Sequence, residues 1–334
     1  MGENMNITDA KAPFDNLDAD IILRSSDNID FRVFKLLLSL ASSFFKDMFM
    51  LPQASEGVNS NKTRDDLPII QVTEMGRTLQ SLLSLCYPMA AADVTIAPLD
   101  TFEEVDMLLA AAIKYNMERV EKWLRGRLIS SPFIDRDPVR VFAVACRFRL
   151  REEAEIAAKH AARQPILERP YGPELEYMTG GQLYQLQRYQ AECHNAVKKV
   201  ATSFEWIDRG YFVWFQCGQA GNTMDIGSED ADTMQTVQRS NWWISYMENV
   251  AKLLEKDACG AVAQSTDVVD KALRESSKCA GCRKKAHTDM REFSRLFGAK
   301  IEEVKSEVSG RLHCKHTKVE LWIRSCWTCI SDRT

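Results

Sequence analysis

The residues best equipped for chemistry lie late in the chain: Cys279-Ala280-Gly281-Cys282, followed by Arg283, Lys284, Lys285 and His287. Two thiolates on one tight turn can take two corners of a zinc tetrahedron, and neighbouring Lys and Arg favour the thiolate form. A complete site needs two more ligands. Cys217 is the best third candidate, and Cys259 or His287 is the candidate fourth. Two rival readings stay open. One is a pair of structural thiols near a helix start. The other is a redox-active disulfide, which lacks the strand-then-helix setting of the thioredoxin type. Farther on, His313, His316, Cys326 and Cys329 have spacings that could hold zinc by themselves, but the segment 313–334 shows no core-forming periodicity beyond Leu321, Trp322 and Ile323 and reads as an atypical tail.

Other chemistry is not legible. The five histidines do not gather beside an acid or a nucleophile except in that tail. There is no Gly-rich phosphate loop, no G-x-S-x-G and no H-E-x-x-H. A non-catalytic protein is expected. The ten cysteines fall short of disulfide-scaffold density, and MGENMNITDAK lacks the apolar core of a signal peptide. Reduced thiols in the cytoplasm or nucleus follow as the expectation. A net charge of −4 argues against nonspecific binding of nucleic acid or an anionic membrane by the whole chain. The longest apolar run, residues 107–113, is too short to span a bilayer.

The elements that would position these residues can be read from periodicity. With 334 residues, 45% of them hydrophobic, the chain is long enough for two domains or one with an extension. Residues 1–18 read as a polar, flexible arm. From Asp20, the Ile21 and Leu23 alternation marks a strand, Asp27-Asn28 a turn, and Phe31 and Val33 a second strand. The spacing turns helical at Leu36, Leu37 and Leu40. Ser42 or Ser43 can cap the next helix, which carries Phe44, Phe45, Met48 and Phe49. Residues 53–66 read as a loop and 67–72 as a strand. Helices follow over 76–87, from a Thr101/Glu104 capping box, and after a break at Asn116. Beyond a hinge at Ser130-Ser131-Pro132, residues 139–162 read as two helices and 182–201 as a longer one. An aromatic run, FEWIDRGYFVWFQ, leads to Cys217. Residues 218–241 read as a disordered insertion. Trp242 opens a helix closed by Gly260 at its C-cap, and Met290, Phe293, Phe297, Ile301, Val304 and Val308 form a last helical stripe.

The opening stretch resembles the start of a BTB/POZ domain. The resemblance is carried by Asp20 opening the first strand, Phe31-x-Val33, Lys35, Leu38-Ser39 and Ser43-x-Phe45-x-x-Met48-Phe49. Family members usually have a histidine where this chain has Phe34. The resemblance implies an α+β fold, a small sheet enclosed by helices over residues 19–129, followed by a mainly α-helical extension. The runs 137–158 and 184–193 are similar to the helical extension of fungal BTB-domain proteins. The expected organisation is an arm (1–18), the BTB/POZ-like domain (19–129), a helical extension (130–203), a helical cysteine-bearing region (204–312) with its insertion, and the tail.

The function this implies is a protein–protein interaction module, an adaptor or scaffold. Family members dimerise or serve as adaptors, including for cullin-based ubiquitin ligases, so a homodimer and a cullin-type substrate adaptor are among the expectations. A zinc-stabilised, nucleic-acid-associated regulator is the alternative, with Arg283 to Lys285 against phosphates. The arm offers only Met5, Ile7, Phe14 and Leu17 among polar neighbours, which gives a strand-swapped dimer little support.

Overall fold

The computed structural model describes residues 7–51, 63–87, 99–208, 210–217 and 239–314, with side chains to residue 309. The chain divides into two compact units, Met1–Val144 and Ala145–Thr334.

The first unit is built on a five-stranded sheet ordered β1-β3-β2-β5-β4. The strands are β1 (Thr8–Asp9), β2 (Ile21–Arg24), β3 (Ile29–Val33), β4 (Thr63–Arg64) and β5 (Leu67–Gln71). Asn28 makes the hairpin between β2 and β3 possible by taking φ 62°, a conformation Asn tolerates. β2 lies at the centre, antiparallel to β3 and parallel to β5. This corrects the alternation read from sequence: Ile22 is as buried as Ile21 and Leu23, because a central strand is covered on both faces.

Helices α1 (Lys35–Ala41) and α2 (Ser43–Met50) follow β3, and α3 (Gly76–Cys86), α4 (Phe102–Lys114), α5 (Glu118–Leu128) and α6 (Phe133–Arg136) complete the unit. Each start has a local cause. Ser42, not Ser43, caps α2 by accepting the Phe45 N–H at 3.1 Å. Thr101 caps α4 by accepting the Glu104 N–H at 3.2 Å. The Glu104 carboxylate pairs with Arg77, so the expected reciprocal box is only half made. Asn116 breaks the chain between α4 and α5 at φ 48°.

The expectation of a flexible arm over residues 1–18 needs correction for the part described. Thr8 and Asp9 pair with β3 as β1. Phe14 is buried, with its ring 5.7 Å from Phe31 and 5.2 Å from Tyr87. One buried aromatic outweighs a polar local composition, since burying a Phe contributes roughly 1.5–3 kcal/mol.

The sheet also holds an ionic chain that no sequence pattern announced, buried at Arg24 and Asp30 and open to solvent at Asp9. Arg24 donates to both Asp30 oxygens, at 2.6 and 2.8 Å. Arg64 donates to Asp30 at 2.7 Å and to Asp9 at 2.8 and 2.9 Å. The Asp30 side chain has no exposure, so both its oxygens depend on these partners.

The division between the units falls within α7 (Pro138–Arg147). The second unit is helical: α8 (Arg151–Ala161), α9 (Gly180–Thr202), α10 (Val213–Gln216), α11 (Asn241–Leu254), α12 (Thr266–Ser276) and α13 (Ala286–Cys314). Thr179 and Gln182 form the capping box that starts α9. The core is aromatic. Phe293 sits edge-on to Trp214, Trp243 and Phe212 at 5.2, 5.7 and 5.3 Å, a favoured arrangement of ring quadrupoles. Trp206 stacks on Phe293 and Phe297.

Gly260 has a different role from the expected C-cap. α11 ends at Leu254, and Gly260 opens a 3-10 turn to Gln264 packed against α13. A Cβ on Gly260 would come 2.3 Å from the Gly298 carbonyl oxygen, and one on Gly298 would come 2.8 Å from the Gly260 oxygen. Two backbones touch there because neither residue has a side chain. Most of the expected insertion, residues 218–238, and all but the first two residues of the 313–334 tail lie outside the described residues. Arg239 and Ser240, just before the end of the 218–241 stretch, are buried and Asn241 starts α11, so the expected insertion does not extend to the C-terminal end of that stretch.

Candidate interaction face and thiol cluster

In the second unit, the fold brings Cys217, Cys279 and Cys282 together. Their sulfurs all lie within 4.8 Å of one another, and Cys217 and Cys279 are 3.3 Å apart. Cys217 follows α10, while Cys279 and Cys282 lie on the turn before α13. The Cys279 carbonyl accepts the Arg283 N–H, and the Cys282 carbonyl accepts the Lys285 and Ala286 N–H groups, which closes the turn. Gly281 lets Cys217 in, since a Cβ there would stand 2.9 Å from the Cys217 sulfur. Cys259, ahead of the 3-10 turn, and His287, exposed on α13, do not join the group.

The two thiols of the pair differ in environment. The Cys282 backbone N–H points at the Cys279 sulfur and lowers that thiol's pKa, against a smaller effect of burial and with help from the Cys217 thiol. Burial pushes the Cys282 thiol up to about 11. Two groups oppose that burial: the Ser240 hydroxyl, which lies 3.4 Å from the Cys282 sulfur and also reaches the Trp214 carbonyl oxygen at 3.4 Å, and the Trp242 indole N–H. The indole nitrogen is buried and makes no well-aligned hydrogen bond among the described residues. Sequence reasoning singled out the three sulfurs. It missed Gly281, Ser240 and Trp242, of which only the glycine inside C-x-x-C carried a local signal.

In the first unit, the motif positions divide between packing and exposure. Phe31, Val33, Leu38 and Phe45 are core residues. The Asp20 carboxylate accepts the Lys35 N–H at 2.7 Å, which satisfies one of the orphan donors at the start of α1. Lys35 also places its ammonium 6.0 Å from the Phe49 ring. Phe34 donates its N–H to the Tyr87 hydroxyl at 3.3 Å. Ser43 is exposed, and Met48 and Phe49 are only half-buried. The helical spacing of Leu36, Leu37 and Leu40 belongs to α1, in which Leu37 is half-buried. Leu38 fills the core, while Leu36 and Leu40 are 68% and 75% exposed.

Residues 12–131 match the family model of the BTB/POZ domain. This part of the chain is a BTB/POZ domain. No curated protein matches the chain. The domain is a protein–protein interaction module, and the family match ends before α6. None of the helices among the described residues is long and apolar enough to cross a membrane.

The BTB/POZ domain presents an apolar face of its own. Leu37, Leu40 and Ala41 of α1 form one wall of a groove, Leu85, Cys86 and Tyr87 another, and Arg119, Val120 and Trp123 of α5 the third. Trp123 is 46% exposed, and Met50 and Leu51 at the end of α2 are 69% and 66% exposed. Cys86 within the groove has its thiol pushed up to about 12 by burial. It is therefore a poor nucleophile and acts as an apolar wall.

Proposed function

We propose that the protein is a non-catalytic adaptor or scaffold whose BTB/POZ domain binds a second copy of the chain through the α1, α2 and α5 face. The observation that carries this reading is the outward turn of Leu36 and Leu40. A seven-residue helix that buries only Leu38 while exposing two leucines has an unfilled apolar side. Burying each leucine at a contact is worth roughly 1.5–3 kcal/mol. The sheet edges favour a contact through helices: β1 of the same chain lies against β3, and the two-residue β4 covers β5. The second unit, with a core independent in composition, supports the adaptor role by offering a separate surface.

The test is the solution mass of the full chain by light scattering over a dilution series. The parent is expected at twice the chain mass, and Leu40→Asp at the single-chain mass with an unchanged circular dichroism spectrum. A parent that is monomeric at every concentration would refute self-association.

A further inference from the structure

We propose that Cys217, Cys279 and Cys282 bind a zinc ion as three thiolates in the second unit. The function read from the BTB/POZ domain does not require this site. Four observations converge on it.

The first is spacing. A tetrahedral zinc with Zn–S near 2.3 Å places its sulfurs about 3.8 Å apart. Here Cys217 and Cys279 have sulfurs 3.3 Å apart and all three sulfurs lie within 4.8 Å of one another, so the ion needs only small side-chain adjustments. A disulfide needs roughly 2.0 Å, and none of the cysteines whose side chains are described forms one.

The second is the glycine. Gly281 is the residue whose missing side chain admits the Cys217 sulfur, at 2.9 Å from where a Cβ would stand.

The third is the donor set around the sulfurs. The Cys282 and Gly281 N–H groups face Cys279. The Ser240 hydroxyl is 3.4 Å from Cys282, and the Trp242 indole N–H faces the same sulfur as a buried donor with no completed bond. Metal-bound thiolates accept such hydrogen bonds, and outer partners of this kind orient and tune the ligands. A zinc-bound thiolate at Cys282 would give the buried indole N–H an acceptor.

The fourth is charge. Three thiolates and Zn²⁺ carry a net −1, and Arg283, Lys284 and Lys285 stand exposed on the same turn, with Lys278 beside Cys279. No fourth His, Cys or carboxylate joins the sulfurs among the described residues. Cys279 lines an open groove with Ser245, Glu248, Lys271 and Lys278, and water from this groove takes the fourth corner. The proton balance is explicit: binding releases the thiol protons to solvent, with no change of oxidation state.

The site would be a clasp. Cys217 ends the segment after α10, Ser240 donates its N–H to the Trp214 carbonyl at 3.1 Å, and Cys279 and Cys282 lead into α13. One ion would tie the segment after α10 to the turn before α13, with Ser240 alongside, at the edge of the aromatic core.

The experiment uses the full chain, reduced and stripped of metal. It is titrated with zinc against a chromophoric chelator, and in parallel with Co²⁺ while absorbance is recorded. The expected result is one zinc per chain and a cobalt spectrum with thiolate charge transfer and intense tetrahedral d–d bands. Cys279→Ser, at a partly exposed position, should weaken zinc binding by more than about 100-fold, beyond the roughly 10–100-fold typical of losing an outer partner. Gly281→Ala should weaken it by about 10-fold or more, and Cys259→Ser should leave it unchanged. Cobalt spectra of folded Cys279→Ser keep the test valid if a variant at buried Cys282 fails to fold. The proposal is overturned if the parent binds no zinc, if it takes up copper alone, if Cys279→Ser binds zinc as tightly as the parent, or if mass spectrometry finds Cys217 and Cys279 joined as a disulfide under the same reducing conditions.

Discussion

The two units solve the same problem of specifying a core with different materials. The first places an ionic chain, Asp9–Arg64–Asp30–Arg24, across a five-stranded sheet. The second packs Phe212, Trp214, Trp243, Phe293 and Phe297 together between helices. A buried charge network demands that every partner be present, whereas an aromatic cluster demands shape. The first unit accordingly can leave a leucine-bearing helix face exposed and remain well determined by its sheet. The second hides its large rings and gathers sulfurs at their edge.

The comparison can be broken most sharply at Phe293. Its replacement by Ala removes the ring that Trp214, Trp243 and Tyr246 all contact and should destabilise the second unit by about 4 kcal/mol, measured by denaturant unfolding with tryptophan fluorescence. An effect below 1 kcal/mol would mean that the aromatic core is not what holds this unit.

Asp30→Asn is the matching test in the first unit. It leaves buried Arg24 facing a neutral amide and should cost about 3 kcal/mol; a neutral outcome would reduce the ionic chain to ornament. Acid should act at the same place. Burial pushes the Asp30 carboxyl up, but the Arg24 and Arg64 hydrogen bonds outweigh it and the pKa falls below the usual value. In Glu74 burial is likewise outweighed by hydrogen bonds from Lys114 and Tyr115. Both groups have folded pKa values below the unfolded ones, so their stabilisation is present above about pH 4 and is lost as the pH falls through the folded values. Thermal melting in acid should show a first-unit transition that declines below about pH 4 in the parent, and less steeply in Asp30→Asn. Identical acid dependence would remove Asp30 from the account.

Gly298→Ala should cost a smaller amount, about 1–3 kcal/mol. Its Cβ would stand 2.8 Å from the Gly260 oxygen and 2.5 Å from the Gln264 side chain, which outweighs the roughly 1 kcal/mol that alanine gains in a helix. A stabilised variant would show that the two backbones can separate freely. Leu40→Asp should change stability least, within about 0.5 kcal/mol, because the leucine is exposed.

Much of the first unit was legible because its signals are local. Asn28 and Asn116 took the turns their types allow, Thr101 capped α4, and Leu79, Leu82 and Leu83 faced inward. What could not be read depends on contacts distant in sequence. The docking of Phe14 needed Tyr87, and the pairing of Asp30 needed Arg64. The helix α1 was legible from its apolar spacing, but not which side it buries, because Leu36, Leu37, Leu38 and Leu40 are equally apolar and periodicity alone does not choose the face. At the thiol cluster, residue type and the C-x-x-C spacing drew attention to Cys279 and Cys282. The approach of Cys217 over Gly281 is a tertiary fact. The exposed side of α1 is the more instructive of the two, because an apolar face turned to solvent is what an interaction module needs.

The contact face is tested most directly by cross-linking. A photoreactive amino acid placed at Leu40 of the full chain is irradiated and digested, and the joined peptides are identified by mass spectrometry, with the same chain carrying Leu36→Asp as control. A two-chain product is expected from position 40 with junctions in α1, α2 and α5, and much less of it when exposed Leu36 is charged. Absence of a two-chain product from position 40, or junctions confined to other surfaces, would contradict this assignment of the face.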